Sequence, residues 1–284
     1  MKHANKLKIG LALGGGGVRG LAHIGVLKVL VGEDIPITCI AGTSMGGVIG
    51  AYFAAGHSPE QIEELAKQTG RLREVSRMLD PNFSPHGALK GKRVQARLAR
   101  DLGSETTFAD LHLPLSLLAV DLNSGREVVL NQGKITEALR ATISVPAIFI
   151  PYELGGYRLV DGGVLNNVPA DIARQMGADI VIAVDVLPDF TPNTPGDPPV
   201  VMPLNPHPMP QLYRTLWHVE LMMISELTSF RLNAAHPEII IRPDLPLDMD
   251  LFVGFDRAGF AIKAGEKAAQ AALPSIMALL ERSH

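Results

Sequence analysis

Short apolar runs that end in glycine-rich turns recur along this chain, and segments with helical periodicity follow them. The first run covers residues 8–13 and is followed by a glycine turn at 14–17. A helix is predicted next, because apolar residues recur at helical spacing at Leu21, Ile24, Leu27, Val29 and Leu30. The same order returns at 35–41, where an apolar run passes through the turn 42–46 into a segment of small residues. Two strand–turn–helix units in succession predict a parallel α/β sheet.

Later segments extend this sheet and make it mixed. Two apolar runs flank Asn123-Ser124-Gly125, which is typical of a hairpin turn. Strands are predicted at 115–122, 127–130, 147–150, 157–160, 180–186 and 238–241. Helices are predicted at 135–142, 169–176, 212–232 and 254–280, and the charge-rich stretch 59–101 is typical of solvated helices.

One segment is rich in proline and interrupts this pattern. Between Pro188 and Pro210 further prolines stand at 192, 195, 198, 199, 203, 206 and 208. Neither a strand nor a helix interior tolerates that spacing, so a surface loop or lid is expected at about 188–210. No internal repeat and no other linker is visible, and we therefore expect residues 1–284 to form a single domain.

Composition supports a buried aliphatic core and argues against nucleic acid as a partner. Hydrophobic residues make up 46% of the chain and aromatic residues only 5%, with a mean hydropathy of +0.18. Net charge is -3 and the basic residues form no block. Cys39 is the one cysteine, which excludes an internal disulfide. No spacing of His, Asp and Glu is typical of a metal site, so neither a metal nor a cofactor is expected.

The N-terminal sequence also bears on location. Its apolar run breaks off at Gly14, which is too early for a signal peptide, and no uninterrupted apolar stretch of about 18 residues could span a membrane. We expect a cytoplasmic protein, with peripheral contact to the inner face of a membrane as a further expectation.

The turn Gly42-Thr43-Ser44-Met45-Gly46 fits the pattern G-x-S-x-G. In that pattern the serine is a nucleophile raised above the sheet by a strained turn, and the glycines allow strand and helix to approach closely. A glycine-rich helix cap is the alternative interpretation of the pentapeptide alone. The apolar run before it and the small-residue helix after it favour the nucleophile.

A second glycine turn runs from Gly14 to Gly20. Its backbone amides could form an oxyanion hole or a phosphate cradle. Gly15, Gly17 and Gly20 also satisfy G-x-G-x-x-G, a weak signal for dinucleotide binding. Such a domain requires an acidic residue at the end of the second strand, which here ends in the Ser44 turn instead. A P-loop is excluded because no Lys followed by Ser or Thr stands at the required spacing.

Asp161 follows a third apolar run and precedes Gly162 and Gly163. A carboxylate at a strand end, followed by glycines that turn the chain sharply, suits a base that must reach a hydroxyl on another strand end. Taken alone, an ordinary turn aspartate explains the residue as well.

Together these motifs resemble the patatin-like phospholipase family, particularly its bacterial members and the catalytic domains related to neuropathy target esterase. In chain order the matching segments are Gly14–Gly20 with His23–Leu27 after it, Gly42–Gly46, Ala141–Phe149 and Asp161–Gly163. The resemblance covers residues 8 to about 186. It implies a three-layer α/β/α domain with a mostly parallel, mixed central sheet.

The resemblance also implies a serine acyl hydrolase that acts on carboxylic esters of lipids. Ser44 would be the nucleophile and Asp161 the base, without a catalytic histidine. The amides of Gly15, Gly16, Gly17 and Val18, or of Met45, would hold the oxyanion. Arg19 would support the glycine turn, and the remaining motif residues that shape the two turns and the Asp161 loop are Gly20, Gly42, Gly46 and Gly163.

Two alternatives stay open. A Ser/His/Asp triad in α/β-hydrolase order would nominate His207, His218 or His236, although none lies in a strand-to-loop context. A non-catalytic lipid- or partner-binding regulator could keep the same scaffold and use the proline segment and the apolar helix at 212–223 as a docking surface. The sequence leaves the acyl chain preference and the oligomeric state open.

Overall fold

The structure is a computed structural model that describes residues 7–70, 77–82, 87–188, 190, 211–247, 249 and 255–281. Its strands are β1 (Ile9–Leu13), β2 (Ile37–Thr43), β3 (Leu115–Asp121), β4 (Arg126–Leu130), β5 (Tyr152–Leu154), β6 (Tyr157–Asp161), β7 (Ile180–Val184) and β8 (Ile239–Ile241). Its helices are α1 (Ala22–Gly32), α2 (Ser44–Ala54), α3 (Pro59–Thr69), α4 (Lys92–Leu102), α5 (Ile135–Thr142), α6 (Ala170–Gln175), α7 (Gln211–Ala235) and α8 (Ala258–Glu281).

All eight strands belong to one mixed sheet. Its order is β5-β6-β3-β2-β1-β7-β8, and β4 pairs with β3 outside this path. Strands β3, β2, β1, β7 and β8 are parallel to one another, whereas β4 and β6 are antiparallel to β3 and β5 is antiparallel to β6. The predicted mixed, mostly parallel α/β sheet is confirmed.

Helices cover both faces of this sheet. Along β1, Leu11 points into a core shared with α1, α2, α3 and α8. Its neighbour Ala12 points into a second, smaller core shared with α6 and α7. Cys39 is buried in that second core, in agreement with its apolar sequence context. The alternation of side chains along a strand thus gives the expected three layers.

Strands β2 and β6 meet end to end along one edge of β3. Residues of β3 up to Leu118 pair with β2, and residues from Ala119 onward pair with β6. Because β4 occupies the opposite edge of β3 over both stretches, β2 and β6 must share the same edge. Thr43 ends β2 opposite Leu118, and Asp161 ends β6 opposite Ala119. The antiparallel direction of β6 therefore brings its last residue to the end of β2.

Several predicted boundaries differ from the structure. Helix α2 begins at Ser44, three residues before the predicted small-residue helix. Residues 147–150 form no named strand: Ala147 has a φ of 64°, and Phe149 makes only an isolated bridge with Leu89. The C-terminal segment forms the single helix α8, which contains Pro274.

The proline segment lies almost entirely outside the described residues, since 189 and 191–210 are not among them. Within the described part of the chain, no helix is long and apolar enough to cross a membrane.

Candidate active site

Ser44 stands on a strained turn between β2 and α2. Its φ of 52° lies in the left-handed region, which is uncommon for a residue with a Cβ and is found at functional turns. The turn is also tight. A Cβ on Gly46 would lie 2.2 Å from the Leu13 carbonyl oxygen, and one on Gly42 would lie 2.7 Å from the Gly47 Cα. Glycine is therefore required on both sides of the serine.

Two threonines hold this turn. The Ser44 amide donates to the Thr142 hydroxyl at 3.0 Å, and Thr142 donates in turn to the Leu118 carbonyl at 2.5 Å. Thr43 donates to the Asn166 carbonyl at 3.1 Å. The serine backbone is thus tied both to β3 and to the segment that follows Asp161.

Asp161 and Ser44 line the same cavity. The Asp161 Oδ1 accepts a hydrogen bond from the Gly163 amide at 2.8 Å. Burial raises the pKa of this carboxyl to about 6, although the Ser44 hydroxyl and the Gly163 amide both favour its ionised form. A base of that pKa is largely ionised at neutral pH and stronger than an ordinary aspartate, as proton abstraction from an alcohol requires.

The glycine turn stands beside Ser44 and offers unpaired amides. Gly17 has a φ of 56° and opens a short 3-10 segment that ends at Leu21. Across the described residues, no acceptor is bonded to the Gly16 or Gly17 amide. The Val18 amide lies in the first turn of that segment, where the segment's own carbonyls cannot reach it. Gly16 and Gly17 line a cavity of about 40 Å³ together with Ser44 and Asp161.

The amide of Gly15, the first glycine predicted for the oxyanion hole, is engaged within the protein. Its amide donates to the Asn167 carbonyl at 3.3 Å, and its carbonyl accepts from Asn167 Nδ2 at 3.1 Å. Gly15 is instead the point at which the turn is fastened. A Cβ there would lie 2.7 Å from Asn167 Oδ1 and 2.9 Å from Ser44 Cβ, so this position too has no room for a side chain.

Arg19 is buried and makes no described contact with Ser44 or Asp161. Its Nε donates to the Val186 carbonyl at 2.6 Å, and its Nη1 donates to the Pro246 carbonyl at 2.7 Å. Burial lowers the pKa of the guanidinium to about 10, against the attraction of Asp185 and Asp244. The guanidinium therefore fastens the glycine turn to the segments that follow β7 and β8.

Arg140 supports the wall of the site formed by the segment after α5, and sequence reasoning did not single it out. It is a buried cation whose Nη1 donates to the Ser144 hydroxyl at 2.7 Å and whose Nη2 donates to the Lys90 carbonyl at 2.7 Å. Its guanidinium also lies 5.0 Å from the centre of the Phe149 ring. These contacts hold Val145 and Phe149, which line the cavities around Ser44.

An apolar pocket of about 200 Å³ extends from Ser44 between α2, α3 and α4. Its lining includes Met45 and Val48 of α2, and also Leu65 of α3 and Leu98 of α4. A hydrocarbon chain gains free energy in such a pocket by leaving water. The arrangement suits an ester whose acyl chain enters this pocket while its carbonyl carbon faces the serine.

Helix α7 covers the opposite side of the cleft. Trp217, Glu220 and Leu221 line the small cavity that also holds Ser44 and Asp161. Burial, and then the charge of Asp161, raise the pKa of Glu220 to about 7. Sequence reasoning missed this residue. The signal available was a single carboxylate within the otherwise apolar run from Val219 to Ile224.

No histidine is among the described residues that line either cavity at Ser44. His23 is buried within α1, where its Nε2 donates to the Gly14 carbonyl at 2.7 Å. Burial lowers its pKa to about 4, so the ring is neutral. Of the histidines considered for a triad, His218 and His236 lie outside these cavity walls and His207 lies outside the described residues. In the described part of the chain, no group of three or more His, Cys, Asp or Glu could hold a metal ion.

Comparison with known proteins identifies the family of this chain. The sequence model of the patatin-like phospholipase family matches residues 11–174. An uncharacterized NTE family protein of Mycobacterium tuberculosis is 36% identical over 181 residues, which are 63% of this chain and 49% of that protein. Patatin-like phospholipase domain-containing protein 7 of Rattus norvegicus is 36% identical over 182 residues, 63% of this chain and 13% of that protein.

A solved structure shows the same fold. VipD from Legionella pneumophila superposes with a TM-score of 0.60 and 13% identity, over 95% of this chain and 67% of that one. The mixed sheet covered by helices on both faces defines a three-layer α/β protein, with Ser44, Asp161 and the glycine turn lining one cavity. More particularly, the chain belongs to the patatin-like phospholipase family. It spans about half the length of the mycobacterial relatives that it matches.

Proposed function

We propose that this chain is a serine acyl hydrolase that cleaves carboxylic esters of lipids, with Ser44 as nucleophile and Asp161 as base. The observation that carries the proposal is that Ser44, on its strained turn, and the buried Asp161 carboxylate line one cavity beside Gly16 and Gly17. Family membership supports lipid esters as the substrate class. The apolar pocket that opens at Ser44 supports an acyl chain as the part of the substrate that is bound.

In the first half of the reaction, Asp161 takes the Ser44 proton as the serine oxygen bonds to the ester carbonyl carbon. The amides of Gly16 and Gly17 stabilise the negative charge on the carbonyl oxygen, and the amide of Val18 is a third candidate donor. The bond to the alcohol then breaks, the leaving oxygen gains in net terms the proton that came from Ser44, and an acyl group remains on the serine. In the second half Asp161, ionised again, takes a proton from a water molecule whose oxygen bonds to the acyl carbon, and that proton passes to the Ser44 oxygen as the acid leaves.

The main test compares ester turnover by wild type, Ser44→Ala and Ser124→Ala. Ser124 lies in the exposed turn between β3 and β4 and is the matched serine control. With p-nitrophenyl esters of increasing acyl length, and with defined phospholipids and lysophospholipids, we expect Ser44→Ala to lose about 10⁴-fold or more in kcat. Ser124→Ala should match wild type. Full turnover by folded Ser44→Ala, or none by wild type on any of these esters, would overturn the proposal and favour a non-catalytic regulator.

A single domain over residues 1–284, a cytoplasmic location and contact with the inner face of a membrane remain predictions. Sedimentation with vesicles of defined lipid composition would test membrane contact independently of hydrolysis.

A further inference from the structure

A second carboxylate faces the proposed catalytic pair from the other side of the cleft. Glu220 lies on α7 and lines the same cavity of about 40 Å³ as Ser44 and Asp161. The hydrolysis proposed above gives it no role. Its neighbours on the inward face of α7 are Trp217, Leu221 and Ile224, so Glu220 supplies the carboxylate of an otherwise largely apolar helix face.

The positions of the two cavities decide which part of the substrate Glu220 would meet. Ser44 belongs to the walls of both cavities. The larger, apolar one extends away from it under α3 and α4 and suits the acyl chain. An ester bound in this way directs its alcohol to the opposite side of the serine, into the cavity under α7. Glu220 therefore stands on the leaving-group side.

We propose that Glu220 is the catalytic acid that protonates the leaving alcohol, in addition to the Ser44 and Asp161 pair on which the proposal rests. As the bond from the carbonyl carbon to the alcohol oxygen breaks, its electron pair stays on that oxygen, which takes the proton of the Glu220 carboxyl. The products of this step are the acyl group on Ser44, the neutral alcohol, protonated Asp161 and ionised Glu220.

The cycle then closes without an additional reactant. Water that replaces the alcohol relays the proton from Asp161 to Glu220 and restores the starting charges. With Asp161 ionised, burial and the charge of Asp161 both raise the pKa of Glu220, so Glu220 holds its proton in the starting state. A carboxylate base beside a protonated carboxyl acid in one site is a known arrangement for acid–base catalysis.

The other charged groups near Glu220 do not change its proposed role as the catalytic acid. Across the described walls of the cavity, the charged groups that face it are Asp161 and Arg19. The Arg19 guanidinium donates to the carbonyls of Val186, Leu245 and Pro246, so it is already engaged by acceptors other than Glu220. Behind it, Asp185 is paired with Arg242 at 3.2 Å.

The test uses the leaving group as its variable. A p-nitrophenolate leaves as a stable anion and needs no proton, whereas the alkoxide of a glyceryl ester must be protonated. For Glu220→Gln we expect kcat/KM on a monoacylglycerol to fall by about 10²–10⁴-fold. Turnover of the p-nitrophenyl ester with the same acyl chain should stay at the wild-type rate. Glu226→Gln, on the exposed side of the same helix, is the control and should match wild type on both esters.

The pH profile gives a second readout that a structural role would not move. Wild-type turnover of the monoacylglycerol should decline as the pH rises through about 7, where Glu220 loses its proton, and Glu220→Gln should show no such decline. Equal losses on both esters, or no loss on the monoacylglycerol, would overturn the role of Glu220. Loss of p-nitrophenyl ester turnover in Ser44→Ala would still establish the proposed nucleophile, so the two proposals can fail separately.

Discussion

Asn167 and Gly15 bind each other through two hydrogen bonds, although 152 positions separate them in the chain. The Gly15 amide donates to the Asn167 carbonyl, and the Asn167 side chain donates to the Gly15 carbonyl. This reciprocal pair fixes the glycine turn against the segment that follows Asp161. The amides proposed for the oxyanion hole are thereby held in register with the proposed base.

Asn167→Ala removes the side-chain half of this pair and leaves the Gly15 carbonyl without its donor. We expect the free energy of unfolding to fall by about 1–3 kcal/mol, the usual cost of an unsatisfied buried polar group. We also expect kcat to fall by about 10–100-fold, because the turn carries the amides that meet the oxyanion. Asn123→Ala, in the exposed β3–β4 turn, is the control. A folded Asn167→Ala protein with wild-type kcat would contradict this role.

His23→Gln tests whether a histidine takes part in catalysis, as it would in a Ser/His/Asp triad but not in a Ser/Asp pair. The amide of glutamine can still donate to the Gly14 carbonyl, but it cannot act as a general base. Because His23 is buried and its pKa is lowered to about 4, we expect kcat to change by less than about tenfold while Tm decreases. Steady-state kinetics and thermal unfolding measure the two effects. A drop in kcat of about a thousandfold in the folded variant would place His23 in the proton transfer.

Ala66→Trp tests the pocket proposed for the acyl chain. Ala66 is half-buried on α3 and lines that pocket, so a large side chain there should fill part of it. We expect kcat/KM for long-chain p-nitrophenyl esters to fall by about 10-fold or more, with little change for the acetate. Ala96→Trp, on the exposed side of α4, controls for the added tryptophan. An unchanged ratio of long-chain to short-chain activity would place the acyl chain elsewhere.

Asp161→Asn should lose activity but be more stable than wild type above the pKa of Asp161. The pKa of Asp161 is raised to about 6 in the folded protein and is near 4 in the unfolded chain, so ionisation costs the folded state about 3 kcal/mol. The folded protein therefore avoids this cost while Asp161 is protonated. The corresponding stability is fully present below pH 4 and is lost as the pH rises through about 6. We therefore expect the inactive Asn variant to be more stable than wild type at pH 8.

The advantage of this variant should disappear near pH 4. Chemical denaturation of both proteins across this pH range measures the difference. If the variant is instead less stable than wild type at pH 8, interactions in the folded protein offset the cost of burying the ionised Asp161 carboxylate.

The turn around Ser44 could be predicted from the sequence because close packing leaves few residues that fit. A Cβ on Gly42 or on Gly46 would lie within 2.7 Å of backbone atoms, so both positions require glycine. Because these glycines are close to Ser44 in the sequence, the motif can be recognised from the sequence alone. The alternation of strands and helices was likewise visible, because each period depends on neighbouring residues.

The meeting of β2 and β6 could not be predicted in this way. It depends on β3 extending past the end of β2 and pairing there with β6, a register that long-range packing decides. Asn167 and Glu220 were missed for a related reason. Each lies far in sequence from the groups it faces, and neither belongs to a motif that marks it.

The most direct test of the account is the site and rate of labelling by a fluorophosphonate, followed by peptide mass spectrometry. Ser44 should carry the adduct in wild type and in His23→Gln at similar rates. Asp161→Asn should be labelled at least about 10²-fold more slowly, because the serine has lost its base. An adduct on another residue, or wild-type labelling of Ser44 in Asp161→Asn, would contradict the claim that these two side chains perform the chemistry.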